Sequence, residues 1–198
     1  MDSGEISIFV ILIGLVAVIV AVNFFNSWAR RAAWDELAFQ NGLIFEPGNY
    51  WGKSPSLSGV YRGHSLLLDT FTRRSGNSRT TYTRIVLDVN NHTELRLSIS
   101  GEGVGSKLKK MLGAKEILVG DEAIDAKFFI QGNPEMAVQR LLSNTGLRQK
   151  LLDSHSLHVE LTGQRIVYEK RGFEANPENL LYLFDLLGDI GMGVERIE

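Results

Sequence analysis

No cysteine occurs among the 198 residues, so no disulfide framework braces the fold and nothing argues for an oxidising compartment. Charge is missing from residues 6–25, and basic charge is missing from everything before Arg30, since all 21 Lys and Arg follow the uncharged run. A net excess of either sign is also lacking. Of the 23 acidic side chains, Asp2 and Glu5 precede the run and the other 21 equal the 21 basic ones. The region after residue 25 is therefore formally neutral and has no global attraction for nucleic acid. Interleaved aromatics of the kind that stack bases are too few to reverse that exclusion.

What fills the uncharged run is apolar: ISIFVILIGLVAVIVAVNFF, in which 15 of 20 residues are Ile, Leu, Val or Phe. Twenty helical residues cover about 30 Å, the thickness of a bilayer's hydrocarbon core. Their summed insertion free energy is favourable by about 5 to 9 kcal/mol, and Asn23 cannot overturn that. A cleaved signal needs a positive start, a shorter apolar core and a small-residue cleavage site, none of which is present here. Residues 6–25 are thus expected to be one transmembrane helix, with 1–5 as a short extracytoplasmic tail. Arg30 and Arg31 directly after the span place the carboxyl-terminal part in the cytoplasm at the plasma membrane. Trp28 and Trp34, with Arg30 and Arg31, are expected as anchors at the membrane interface. Gly14, Ala17 and Ala21 would allow close helix pairing, a weak pointer to a homo-oligomer.

Residues 26–46 read as a juxtamembrane helix and connector, the helix spanning Ser27 to Asn41 and ended by Gly42. The stretch Pro47 to Pro55 reads as a loop. Residues 47–198 then form an α+β domain, divisible into lobes at 47–115 and 116–198. Alternation predicts strands at 56–61, 65–73, 80–90 and 94–100, forming an antiparallel meander with one apolar face. A basic helix at 105–112 and an apolar stretch at 117–119 follow. Further on are a strand at 128–131, helices at 134–142 and 147–152, a hairpin at 157–170 turning at Thr162-Gly163, and a helix at 177–187. Asn133-Pro134-Glu135 and Asn176-Pro177-Glu178 each predict a helix start with a cap, a proline and an acid in the first turn. Leu180, Leu183, Phe184 and Leu187 form a packing stripe on the last helix.

No reaction centre emerges from spacing, and no cofactor is expected. The glycine-rich Ser100 to Lys107 opens a basic helix, but Ser106 breaks both the P-loop and the dinucleotide pattern, leaving a flexible turn. His155 and His158 are three apart near a strand start, so they tend to point to opposite faces and lack a third ligand. Asp153, Ser154 and His155 are adjacent and cannot form a relay, and no G-x-S-x-G elbow exists. Asp121, Glu122 and Asp125 lack the calcium-loop pattern and read as an acidic turn or helix start.

Charge is nevertheless uneven along the domain. Residues 53–115 hold 11 basic and 4 acidic side chains, and 116–198 hold 8 and 14. Arg73, Arg74, Arg79 and Arg84 surround a polar turn, and Lys107, Lys109 and Lys110 share the basic helix. Together they are expected to contact anionic lipid of the inner leaflet. The single amino-terminal span, Trp34-x-x-Leu37-Ala38 through Gly42-Leu43, and Val119-Gly120-Asp121 through Asp125-x-x-Phe128 with Phe129-Ile130-x-Gly132-Asn133-Pro134 resemble a family of uncharacterised prokaryotic single-span membrane proteins. That resemblance implies membrane anchoring and carries no activity or catalytic residue to transfer. The expected function is a binding or assembly module at the cytoplasmic membrane face, with a membrane protein or a second copy as partner. An anionic-lipid sensor and an enzyme with a site dispersed in sequence are the alternatives.

Overall fold

The computed structural model describes residues 13–18, 31–49, 53–101, 116–155 and 157–197. Strands β1 (Ile44–Glu46), β2 (Ser56–Tyr61), β3 (His64–Ser75), β4 (Ser78–Asp88), β5 (Arg96–Gly101), β6 (Phe128–Asn133), β7 (His158–Thr162) and β8 (Arg165–Arg171) form one sheet. Its order is β1-β2-β3-β4-β8-β7-β5-β6, and the recorded pairings are antiparallel. Helices are α1 (31–41), α2 (Glu122–Lys127), α3 (Glu135–Leu142), α4 (Thr145–Asp153) and α5 (Pro177–Glu195). The α+β class read from alternation is the observed one.

Alternation also sets the layering. Along β3, positions 64, 66, 68 and 70 are buried, whereas 65, 67, 69 and 71 are not. The buried side is the inner face, shared with Ile85 and Leu87 of β4, Ile166 and Tyr168 of β8, and Val159 and Leu161 of β7. Trp34, Leu37 and Ala38 of α1 and the expected stripe of α5 close over it. Ile124 of α2, Val138 of α3, and Leu147 and Leu151 of α4 join the same core.

The expected meander breaks after its third strand. β5 does not pair with β4, because the β8–β7 hairpin lies between them. Asn91, 7% exposed, decides this crossing. Its Nδ2 donates to the carbonyls of Leu95 at 2.8 Å and Gly163 at 2.7 Å, while its Oδ1 accepts from the Leu95 N–H at 3.0 Å. Val89 N–H adds a bond to the Gln164 carbonyl at 2.9 Å. The connection after β4 is therefore pinned to the tip of a hairpin more than 70 residues later, and the next strand starts on that hairpin's far side. Strands from residues 47–115 and from 116–198 thus share one sheet and one core.

Two helix starts that look alike in sequence differ in structure. Asn176 caps α5, accepting from Glu178 N–H at 2.9 Å and Asn179 N–H at 3.2 Å. Asn133 instead ends β6, and Pro134 occupies the cap position of α3 without a side-chain bond. The acidic run resolves as a helix start, since Asp121 accepts from Ala123 and Ile124 N–H at 3.1 and 3.3 Å.

Helix α5 continues to Glu195, eight residues beyond the expected end. Gly188, Gly191 and Gly193 lower intrinsic helix propensity there. Packing overrides propensity, because a Cβ on Gly191 would lie 2.9 Å from Val89 Cγ1 and one on Gly193 would lie 2.4 Å from Leu141 Cδ1. The glycines let the helix approach β4 and α3.

Of the expected span, residues 13–18 are helical. The remainder of 6–25 lies outside the described residues, as do Trp28, Arg30 and the 105–112 segment. Among the described residues no helix is long and apolar enough to cross a membrane.

Candidate functional site

With the helices on the inner face, the side chains of alternate parity form an outer face that no described helix covers. Register places Asp69 opposite Arg84, and Arg84 opposite Glu169, across β3, β4 and β8. Opposite charges on neighbouring strands pair. Arg84 grips Asp69 with two bonds, Nε to Oδ1 at 3.0 Å and Nη2 to Oδ2 at 2.6 Å, the geometry that suits guanidinium to carboxylate. That hydrogen bond, foremost, raises the Arg84 pKa above its ordinary value, and the Glu169 charge adds to it. Arg73 donates to Glu169 at 2.7 Å.

Aromatic rings support the same guanidinium groups. Phe71 and Tyr82, opposite each other, stack with centroids 5.5 Å apart. Arg73 lies 5.1 Å from the Phe71 centroid and 5.0 Å from that of Tyr82, and Arg84 lies 5.1 Å from Phe71. Such contacts restrain the arginines beyond their ion pairs. The result is a depression of ≈ 420 Å³ whose lining includes Val86 and Val167 as well as His158, Glu160 and Arg165.

His158 adds a polar line to that depression. Its Nδ1 is 3.0 Å from Ser100 Oγ, and its Nε2 is 3.3 Å from Glu160. Hydroxyl, imidazole and carboxylate are the parts of a nucleophilic relay. Ser100 is only 1% exposed, however, so its hydroxyl does not meet a substrate from solvent. The line acts as a cross-strand clamp between β5 and β7. Sequence reading set His158 aside for its spacing from His155 and the lack of a third ligand; Glu160, two residues on, shares its face of β7, but Ser100 lies on β5 and only register brings it opposite.

The four arginines expected to act together divide into two sets. Arg73 and Arg84 are engaged on the outer face. Arg74 and Arg79 stand directly opposite each other on the other face of the β3–β4 hairpin, both exposed. Neither side chain has a hydrogen bond or ion pair among the described residues. Like charges directly opposite destabilise a strand pair. Arg79→Glu is accordingly expected to raise domain stability by about 0.2–1 kcal/mol, read as a higher urea midpoint at unchanged slope. Lys107, Lys109 and Lys110 lie outside the described residues.

Trp34 is placed otherwise than expected. It is 0% exposed, stacked on Phe173 at 4.7 Å, with its indole N–H donating to the Glu174 carbonyl at 2.9 Å. A ring so enclosed is a core residue of α1, unavailable to headgroups. Arg31, one turn earlier, borders a second hollow with Asp35, Phe45 and Pro47.

A further cluster lies at the opposite end of the sheet. Arg62, at φ 51° in the β2–β3 turn, reaches Asp185 at 3.2 Å and Asp189 at 2.8 Å on α5, and Lys150 of α4 also pairs with Asp189. Tyr61 donates to Asp185 at 3.0 Å, and burial first, then that bond, pushes its phenol up to about 12. These pairs hold a strained turn against α5 and tie α4 to the same helix, and are structural.

Among the described residues, no group of three or more His, Asp or Glu is arranged to hold a metal ion. No family model and no curated protein matches the chain. Among solved structures, the chain is similar to the crystal structure of the mycobacterial trehalose monomycolate transport factor A, at 11% identity and a TM-score of 0.52. The match covers 81% of this chain and 93% of that one, and at this identity it is a likeness of fold.

Proposed function

We propose that the chain is a single-span membrane protein whose α+β domain stands at the cytoplasmic face of the plasma membrane and binds a protein partner there. One observation carries the membrane part of this reading. Ile13, Leu15, Val16 and Val18 are helical yet 57%, 58%, 57% and 60% exposed, so the domain core gives them no cover. Apolar side chains in a charge-free run of bilayer length find that cover in lipid. The basic residues that follow favour a cytoplasmic domain.

Partner binding rests on the outer face. Its charges stand in pairs, and Val86 and Val167 lie among them. Such a surface suits a protein with an apolar centre and a polar rim. The fold likeness to a factor named for trehalose monomycolate transport is in keeping with a role at a membrane.

Carbonate extraction of native membranes tests the anchor, and release of the full chain into the supernatant counts against it. A photo-crosslinking residue at Val167 tests the face. The same neighbour is expected from Val167 and from Val86, and its capture is lost when Val86→Glu places a charge there. Equal capture from the wild-type and Val86→Glu chains would sink the partner-binding reading.

A further inference from the structure

Helix α1 has a direction relative to the sheet, and that direction locates the membrane. Its first turn sits at one level of the strands. Trp34 contacts Phe173 and Glu174, just past the point where Gly172 N–H donates to the Thr81 carbonyl and its carbonyl accepts from Thr83 Oγ1. Its far end sits at another level. A Cβ on Gly59 would meet Leu43 at 2.8 Å, and Gly59 pairs with Leu66. From Leu66 to the partners of Thr81 and Thr83, β3 runs toward the tip of the β3–β4 hairpin. The chain therefore enters α1 from the hairpin's side of the domain.

Distances along the chain bring the two together. The hairpin continues three to five residues past the level of Trp34, from Thr72 or Thr70 to Ser75, which is about 10–17 Å of strand. Nine residue steps separate Phe25 from Trp34, of which the last three are helical, so they cover about 14 Å if the rest is helical and at most about 25 Å if it is extended. The two lengths are of the same order, which would put the tip near the depth where a span ending at Phe25 leaves the bilayer.

The tip also has the chemistry of a headgroup contact. Residues 70–83, TFTRRSGNSRTTYT, contain three arginines, seven hydroxyl side chains of Ser or Thr and no acid. Arg74 and Arg79 are exposed and face each other at a cost to the hairpin that an anionic surface relieves. Arg171, exposed and opposite Tyr82, adds a third cation at the same end.

We propose that the β3–β4 hairpin, through Arg74 and Arg79, rests on the anionic headgroups of the bilayer that anchors the chain. The inference depends on the transmembrane reading of residues 6–25. Docking this tip fixes the tilt of the sheet and holds the outer face upright beside the membrane, within reach of another membrane protein.

The chain lacks cysteine, so Asn77→Cys and Gln164→Cys each introduce one labelling site, at the hairpin tip and at the opposite end of the sheet. The full chain is reconstituted in phosphatidylcholine vesicles with and without phosphatidylglycerol, together with a lipid bearing a headgroup quencher. Fluorescence at position 77 is expected to be quenched several-fold more than at 164 in phosphatidylglycerol vesicles, and less without phosphatidylglycerol or at high salt. Reversing both arginines, Arg74→Glu with Arg79→Glu, keeps a like-charged pair in the hairpin and so leaves folding comparable, while quenching at 77 falls to the level seen in phosphatidylcholine. Vesicle flotation separates the outcomes. A chain that floats but shows equal quenching at 77 and 164, or is indifferent to the double reversal, overturns the hairpin contact and leaves the anchor standing. A chain that does not float overturns the anchor and the contact with it.

Discussion

Trp34→Ala is expected to destabilise the domain by about 4 kcal/mol, the middle of the range for truncating a buried aromatic side chain. The ring is fully enclosed and stacked on Phe173, so removing it leaves a cavity between α1 and the end of β8. Its N–H partner, the Glu174 carbonyl, also loses its bond. Trp34→Phe keeps much of the ring and forfeits the hydrogen bond, at a cost of about 1–2 kcal/mol. Urea unfolding of the full chain in detergent compares the two. A loss below about 1 kcal/mol for Trp34→Ala would mean that the ring is not buried and is free to serve as an interfacial anchor. On the proposed membrane reading the consequence reaches function, because α1 is the element that follows the apolar run. Once Trp34 no longer hooks it to β8, the domain's orientation is lost before its sheet unfolds.

The second large effect is expected at Glu174, where α1, β4, β8 and α5 meet. Its backbone N–H donates to Thr83 Oγ1 at 2.8 Å and its carbonyl accepts from Trp34. Its carboxylate accepts from Lys170 Nζ at 2.5 Å, Asn179 Nδ2 at 2.7 Å and Asn176 N–H at 3.0 Å. Burial, the largest single influence, pushes this pKa upward, but the Lys170 bond, the Asn176 N–H, the Lys170 charge and Asn179 together outweigh it and leave the carboxyl below its ordinary range. A carboxyl depressed by folding stabilises the native state above the unfolded value of about 4.3. That contribution is lost as pH falls through the folded value. Glu174→Gln replaces one acceptor oxygen with an NH2 group that faces donors, and is expected to lower stability at neutral pH by about 2–3 kcal/mol. The gap between variant and wild type then narrows as pH drops below about 4.3 and closes under the folded pKa. A constant gap from neutral to acid would show that the ionised carboxylate is not what joins these elements.

Both positions show how far the sequence could be read. Strand alternation makes the inner face of β3 and β4 legible, and marks the stretch after Pro55 as antiparallel sheet. The Asn176 cap, the end of α1 at Gly42 with φ 66°, and the turn at Gly163 with φ 58° follow from local chemistry in the same way. Local signals specify local structure because capping and left-handed glycine act within a few residues. Glu174 has no comparable signal. Its partners lie at residues 34, 83, 170, 176 and 179, and only folding assembles them.

The amino acid order by itself determined the charge-free run of bilayer length, the asymmetry of basic residues around it, the α+β class and the inward face of most strands. Each is a property of one segment, set by transfer free energy or by the two-residue repeat of a strand. Tertiary structure alone decided that β8 and β7 stand between β4 and β5, that Trp34 is core, and that α5 runs on through three glycines. It also decided which of the hairpin arginines are paired with carboxylates and which are not among the described residues. Those outcomes depend on contacts between residues tens of positions apart, where close packing and charge register outweigh the preference of any single segment.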